Sequence, residues 1–279
     1  MTAVVNNIVA LERGARTRAD AAPVLIKGRA VHKTYRTREG DIETLKPLDF
    51  DIRAGEFVSV VGPSGCGKST LMKMVAGLLP ISGGALEVSG QAVRGPQTDV
   101  GIVFQSALLL PWRRVLDNIL LQAEIRGLPM AAARNRAQAL IEMAGLQGFE
   151  QKYPWQLSGG MQQRVAILRA LLHDPSVLLM DEPFGALDAM TRERMNLELQ
   201  RIWMNSRKTV LLITHSIPEA IFLSDRVFVM SERPGRIVQV YDINLPRPRP
   251  LDVMGTEAFA VYARSLRAHF YAQGQLDAH

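Results

Sequence analysis

One stretch limits what this chain can fold into: Val60-Val61-Gly62-Pro63-Ser64-Gly65-Cys66-Gly67-Lys68-Ser69-Thr70. An apolar run over residues 57–61 feeds a glycine-rich loop, and the loop ends in Lys-Ser-Thr before an apolar-periodic segment over 71–79. The pattern G-x-x-x-x-G-K-[ST] between a strand and a helix is a phosphate-binding loop. Gly62, Gly65 and Gly67 let the backbone bend so that its N–H groups face phosphate oxygens. Lys68 would reach the β- and γ-phosphates, and the Ser69 hydroxyl would hold Mg²⁺. The helix N-terminus that follows adds partial positive charge. A plain glycine-rich strand–helix turn is the bland alternative, but both flanks carry the required pattern.

On either side of this loop the chain alternates strand-like and helix-like segments. Short runs over 25–31, 43–52, 57–61 and 86–93 read as strands, with Asp-Phe-Asp-Ile at period two as in a half-buried sheet. Buried-strand candidates follow over 100–105, 177–180 and 210–213, and a hairpin-like pair over 226–230 and 237–240. Helical stretches lie over 115–126, 130–144, 161–173, 190–205, 218–223 and 257–270. Residues 1–23 lack any period and read as a mobile leader, and 251–279 as a tail containing the last helix. Such alternation implies a mostly parallel α/β sheet.

Composition excludes several classes. A hydrophobic fraction of 47% with 22% charged residues suits a globular chain with a full core. One cysteine, Cys66, cannot make an intrachain disulfide. It reads as a small filler side chain, the alternative being a thiol that ATP shields from attack. No apolar run approaches the ~20 residues of a membrane span, and no signal-peptide pattern is evident. The net charge of +6 is scattered, with Arg233, Arg236, Arg247 and Arg249 late in the chain reading as a solvated face.

Four apolar strands end in polar residues: before Gly62, at Gln105, at Asp181 and at Thr214-His215. Ligands of open α/β sheets bind at carboxyl ends of strands, so these ends are expected around one site. Asp181, after Val177-Leu178-Leu179-Met180, would hold Mg²⁺, and Glu182 would polarise an attacking water. Leu157-Ser158-Gly159-Gly160-Met161-Gln162-Gln163-Arg164 precedes a helix that Ser158 can cap, a second anion-binding helix start.

These motifs, in this order, resemble an ABC transporter ATP-binding subunit over about residues 25–240. Residues 62–70 match the Walker A motif, Gln105 the Q-loop, 157–161 the signature and 177–182 Walker B. Gly185-Ala186-Leu187-Asp188 resembles the D-loop, His215 the switch histidine and Tyr35 the aromatic that stacks on adenine. The resemblance implies a P-loop NTPase core, an α/β fold with a mostly parallel sheet, an N-terminal antiparallel β subdomain and an inserted helical subdomain over about 106–165, all within a domain spanning 24–250. It implies ATP and Mg²⁺ as cofactors. Catalytic roles would fall to Glu182, His215, Lys68 and Gln105, and metal contacts to Ser69, Gln105 and Asp181. Tyr35, the loop residues Gly62, Pro63, Ser64, Gly65, Cys66, Gly67, Lys68, Ser69 and Thr70, then Ser158, Gly159, Gly160 and Asp188 would bind the nucleotide. Two copies would pack head to tail, with Ser158 facing the partner's γ-phosphate. Met161 stands where many members have Gln, and Gly185 where many have Ser. Neither removes a charge the chemistry needs.

Leu110-Pro111-Trp112-Arg113, residues 183–188, residues 230–237 and the proline-arginine run 245–250 resemble the nitrate/sulfonate/taurine importer group. That implies integral membrane permease subunits as partners, a solute-binding protein indirectly, and a peripheral position on the cytoplasmic face of the membrane. The apolar loop Leu108-Leu109-Leu110-Pro111-Trp112 would either receive a permease segment or pack within its own subdomain. Two rivals stay open: a soluble ABC-type ATPase acting on nucleic acid or ribosomes, which predicts two cassettes in one chain or a long coiled-coil insert, and a non-hydrolysing nucleotide-gated regulatory module, against which Glu182 and His215 argue.

Overall fold

The computed structural model describes residues 22–38 and 40–271. The leader expected over 1–23 falls almost wholly outside them, as does the end of the tail. The chain divides into two compact units, one holding residues up to Gln97 and from Thr209 onward, the other Thr98–Lys208.

In the first unit, β1 (Val24–Thr37) pairs antiparallel with β2 (Gly40–Arg53) on one side and β4 (Gly83–Val88) on the other, with β5 (Gln91–Ala92) beyond. The run expected as one strand over 86–93 is instead a hairpin. Ser89 and Gly90 both take left-handed backbone, φ 51° and 74°, which turns the chain back between β4 and β5. The second sheet of this unit runs β10-β9-β3-β8: β3 (Phe57–Val61) lies parallel to β8 (Thr209–Ile213) and β9 (Arg226–Met230), and β10 (Ile237–Asp242) closes it antiparallel. All five residues of β3 are buried, as a central strand covered on both faces requires.

Helix α1 (Lys68–Val75) leaves the end of β3 and stops four residues earlier than its apolar pattern suggests. Gly77 sits at φ 70°, its N–H bonds Met74 O, and Leu78 N–H bonds Lys73 O, the Schellman arrangement that satisfies the last carbonyls. A Cβ on Gly77 would lie 1.8 Å from Gly95 O, so only glycine can end the helix here.

In the second unit, β6 (Val100–Val103) pairs in parallel with β7 (Val177–Asp181). The chain between them forms α2 (Val115–Arg126), α3 (Met130–Met143) and α4 (Gly159–Leu171), and α5 (Ala189–Ser206) follows β7. Gly127 in left-handed backbone ends α2. Asn118, fully buried on α2, accepts from Leu110 N–H and donates to the carbonyls of Leu110, Arg113 and Arg114. One amide thus pins the loop before the helix and leaves Leu108 (58%) and Trp112 (71%) facing outward.

The first unit ends with α6 (Ile217–Leu223) and α7 (Glu257–Tyr271). Phe259, Tyr262, Ala263 and Leu266 are buried at helical spacing, the larger side chains worth about 1.5–3 kcal/mol each of apolar burial. The proline-arginine run corrects the reading of its charge as a solvated face. Arg249 is 1% exposed, and burial, with Arg247 adding, lowers its guanidinium to about 9. Among the described residues, no helix is long and apolar enough to cross a membrane.

His173, just past α4, is half-buried, and burial pushes it from 6.5 down to about 4, with Arg126 adding to the effect. The unfolded chain therefore takes up this proton first as the pH falls. Stability from the neutral ring is full above about 6.5, is lost between 6.5 and 4, and is constant below. Replacing His173 with Gln should flatten that part of the Tm-versus-pH curve, by about 1 kcal/mol after solvent screening. A wild-type and a variant curve that stay parallel from pH 7 to 4 would refute it.

Candidate functional site

The phosphate loop is built by close approach. Gly67 takes φ 107°, and a Cβ there would meet Leu45 Cδ2 at 2.5 Å, so β2 seals the back of the loop. Gly235, in the β9–β10 turn, seals another side: its Cβ position lies 2.0 Å from Cys66 O. The turn is tied to β2 by Gly235 N–H to Thr44 O and Lys46 N–H to Gly235 O, both 2.9 Å. Lys68, only 6% exposed, donates from Nζ to the carbonyls of Gly62 and Pro63, each at 2.8 Å. Its ammonium therefore lies across the loop that would take phosphate. Left-handed Gly65 and Gly67, backbone N–H groups and one held ammonium are the donor set of a polyphosphate cradle.

Cys66 lies 1% exposed with Sγ 4.0 Å from Lys68 Nζ. Burial pushes the thiol up, against a smaller downward pull from Lys68. The thiol is thus a neutral filler of the loop, in line with the bland reading. Ser69 and Thr70, half-buried, begin α1, while Ser64 and Gly65 are exposed at the loop tip and Pro63 half-buried.

The end of β8 stands beside the end of β3: Val60 pairs with Ile213, and Thr214 N–H bonds Val60 O at 3.2 Å. His215 follows, exposed, within a bonded turn. Thr214 Oγ1 accepts from Ser216 N–H and donates to the carboxylate of buried Glu219, whose own N–H bonds Ser216 Oγ. Tyr35 lies on β1, 36% exposed, with Lys33 Nζ 5.0 Å from its ring centroid.

The second unit gathers the remaining residues. Gln105 follows β6 and Asp181 ends β7, and Val103 pairs with Met180, so these ends are neighbours. Gln163, buried on α4, donates to Phe104 O at 3.0 Å, one residue before Gln105. Helix α4 thus holds the strand end that carries Gln105. A Cβ on Gly185 would lie 3.3 Å from Gln105 Nε2, so the lack of a side chain at Gly185 leaves that amide room. Glu182 takes φ 45°, a left-handed conformation that costs a non-glycine residue about 1 kcal/mol or more and recurs at functional sites.

Ser158 caps α4 by accepting from Met161 N–H at 3.3 Å, and Asp188 caps α5 by accepting from Thr191 N–H at 3.0 Å. A hydrogen bond from the Thr191 side chain, and then this one from its backbone amide, hold the Asp188 carboxyl below its ordinary value. The two caps are close, for a Cβ on Gly160 would meet Thr191 Cγ2 at 3.2 Å, and one on Gly159 would meet Leu187 at 3.4 Å. Gln163, Asn118, Glu219 and the backbone of Glu182 were not singled out from the sequence. Polar residues inside otherwise amphipathic helices are the signal that points to the first two.

A family model for ABC transporters matches residues 45–185. An uncharacterised ABC transporter ATP-binding protein of Methanocaldococcus jannaschii is 46% identical over 230 residues, 82% of this chain and 86% of that protein. The chain belongs to the ABC transporter family. Its members include a taurine import ATP-binding protein of Rhizobium johnstonii, 48% identical over 74% of this chain and 79% of that protein. Among solved structures, a dimeric post-hydrolysis ATP-binding cassette bound to ADP and Pi matches with TM-score 0.68 at 33% identity, over 78% of this chain and 99% of that one. This ABC chain is an ATPase subunit with an α/β P-loop fold.

Two outcomes test the loop. Gly235→Ala must displace the Cys66 carbonyl; it should weaken ATP binding, read by fluorescent-nucleotide titration, and destabilise by about 1–3 kcal/mol. Unchanged affinity and Tm would show that the turn does not support the loop. Iodoacetamide should modify Cys66 roughly tenfold more slowly in the native protein at pH 8 than after unfolding, measured by intact mass, because the thiol is buried and protonated.

Proposed function

We propose that the chain is the ATP-hydrolysing subunit of a multi-subunit importer for a small anion of the sulfonate type, such as taurine. The observation that carries this is the pair of anion-binding helix starts, at Lys68 and at Ser158, on one chain. One nucleotide needs only one such start to hold its phosphates. Two make sense when each serves a different copy, so that ATP closes a head-to-tail dimer and Ser158 meets the γ-phosphate bound by the partner's loop. The dimeric cassette supports this arrangement by likeness, and the taurine relative supports the solute class.

In this reading Tyr35 stacks on the base. The loop N–H groups and Lys68 hold the β- and γ-phosphates. Glu182 accepts a proton from water as its oxygen attacks the γ-phosphorus, and ADP leaves. His215 holds the γ-phosphate and orients the transfer, and Asp188 shapes the closed interface. The oxygen donors of Ser69, Gln105 and Asp181 suit Mg²⁺, which when bound would neutralise charge on the β- and γ-oxygens. Exposed Leu108 and Trp112, three and seven residues beyond Gln105, would receive a segment of the permease, and the chain would sit peripherally on the cytoplasmic face. A solute-binding protein would act through that permease.

Glu182→Gln should keep ATP binding, lower turnover about 10²-fold or more, and accumulate dimer in ATP by light scattering. Lys68→Ala should lose nucleotide binding. A Glu182→Gln protein hydrolysing at the wild-type rate would remove Glu182 from the base role. Co-expression with its permease tests the importer reading: uptake of labelled taurine should require Lys68. Uptake that persists in Lys68→Ala, or a complex that moves no sulfonate, would overturn that assignment.

A further inference from the structure

Arg249 is among the largest fully buried side chains among the described residues. Its guanidinium is aimed at one helix end. Nη1 donates to the carbonyls of Ile221, Phe222 and Ser224 at 2.8–2.9 Å, Nη2 to Leu245 O at 2.9 Å and Ile243 O at 3.3 Å, and Nε to Leu245 O at 3.1 Å. Arg247 adds Nη1 and Nη2 bonds to Leu223 O and an ion pair with Asp225 at 2.9 Å. The proline-arginine run is therefore the C-terminal cap of α6, supplied from about 25 residues downstream. The carbonyl end of a helix carries partial negative charge, and a planar fork of five donors matches several converging carbonyls.

Helix α6 has only seven residues, about 10 Å, and His215 stands two residues before its start. Its N-terminal end is closed by the Thr214–Ser216–Glu219 turn. Its C-cap, Ser224, bonds Ser59 of β3 at 2.5 Å, oxygen to oxygen, with both residues fully buried. Thr214 N–H bonds Val60 O on the same strand. The helix is thus held at both ends against the strand that feeds the phosphate loop, and Arg249 holds the end remote from His215. So short a helix does not keep its shape unaided, and what fixes its carbonyl end fixes the turn at the other.

We infer that Arg249 is a positioning residue for ATP hydrolysis, acting through α6 to fix His215 relative to the phosphate loop. The inference rests on the γ-phosphate role proposed for His215. It makes the segment after β10 part of the ATPase machinery.

The test uses the full chain with its permease, assayed well below the melting temperature of each variant. Arg249→Ala should lower kcat about tenfold while ATP affinity stays within twofold, since the loop contacts are untouched. Millimolar guanidinium, entering the vacated site, should restore most of the rate at constant circular dichroism, and should not activate His215→Ala. Arg249→Lys, which keeps the charge but not the fork, should be intermediate, and carries the same readouts if the alanine variant does not fold. An unchanged kcat in a folded Arg249 variant, or kcat and affinity falling together with helix content, overturns the inference alone. Wild-type turnover by His215→Ala overturns the role of His215 and the inference with it.

Discussion

A cradle for polyphosphate has to keep its donors pointing inward before the anion arrives. Left alone, a glycine-rich loop would spend that orientation on many conformations. Here the loop is held from three sides. Leu45 fills the space that a Cβ on Gly67 would need, Gly235 comes up against Cys66 O, and Lys68 bridges the carbonyls of Gly62 and Pro63. Each support is itself tied to a sheet. Leu45 belongs to β2, Gly235 is bonded to Thr44 and Lys46, and the loop springs from the buried strand β3. Much of the first unit can be understood as what is needed to hold eleven residues still.

The second unit meets the same demand with side-chain hydrogen bonds. Its candidate site residues lie in turns after β6 and β7 and at two helix starts, where backbone groups lack regular partners. Gln163 takes the carbonyl before Gln105, Ser158 and Asp188 each take one N–H of the first turn of α4 and α5, and Asn118 takes four groups of the loop before α2. Glu182 keeps a left-handed backbone, as do Leu108, Asp174 and Arg207 in the same unit. The tight turn behind it, Gly185 N–H to Glu182 O at 3.0 Å, shows the surroundings that hold it there.

How much of this a reader of the sequence can see depends on the range of the forces involved. The strands β3, β6, β7 and β8 are legible to within a residue or two, because unbroken apolar runs between turns have few other homes. The phosphate loop, Gln105 and the pair Asp181-Glu182 stand out in the sequence because they follow such runs, and Ser158 because it opens a helix. Helix and hairpin ends are less so: the stop of α1 hangs on Gly95 lying against Gly77, and the split of β4 from β5 on two left-handed residues. Least legible is Arg249. A run of arginines and prolines reads as solvated by its own composition, and it is turned inward by carbonyls at a helix end some 25 residues earlier together with two just upstream of it.

That inward turn settles why the residue is arginine. Burying a cation costs several kcal/mol unless its donors are met. A lysine has three donors from one point, whereas the fork of Arg249 spans six bonds to five carbonyls on two sides of the chain. Three of those carbonyls end α6, and two belong to the chain leaving β10, so one side chain joins the helix after His215 to the segment that follows the sheet edge. Tyr262 on α7 completes the joint by accepting from Asn244 N–H at 3.1 Å, beside the same segment. The C-terminal helix also packs directly on α6, and Tyr241 Oη on β10 donates to Ser265 O at 3.2 Å, so it reaches the joint by contacts of its own beside those that Arg249 orders.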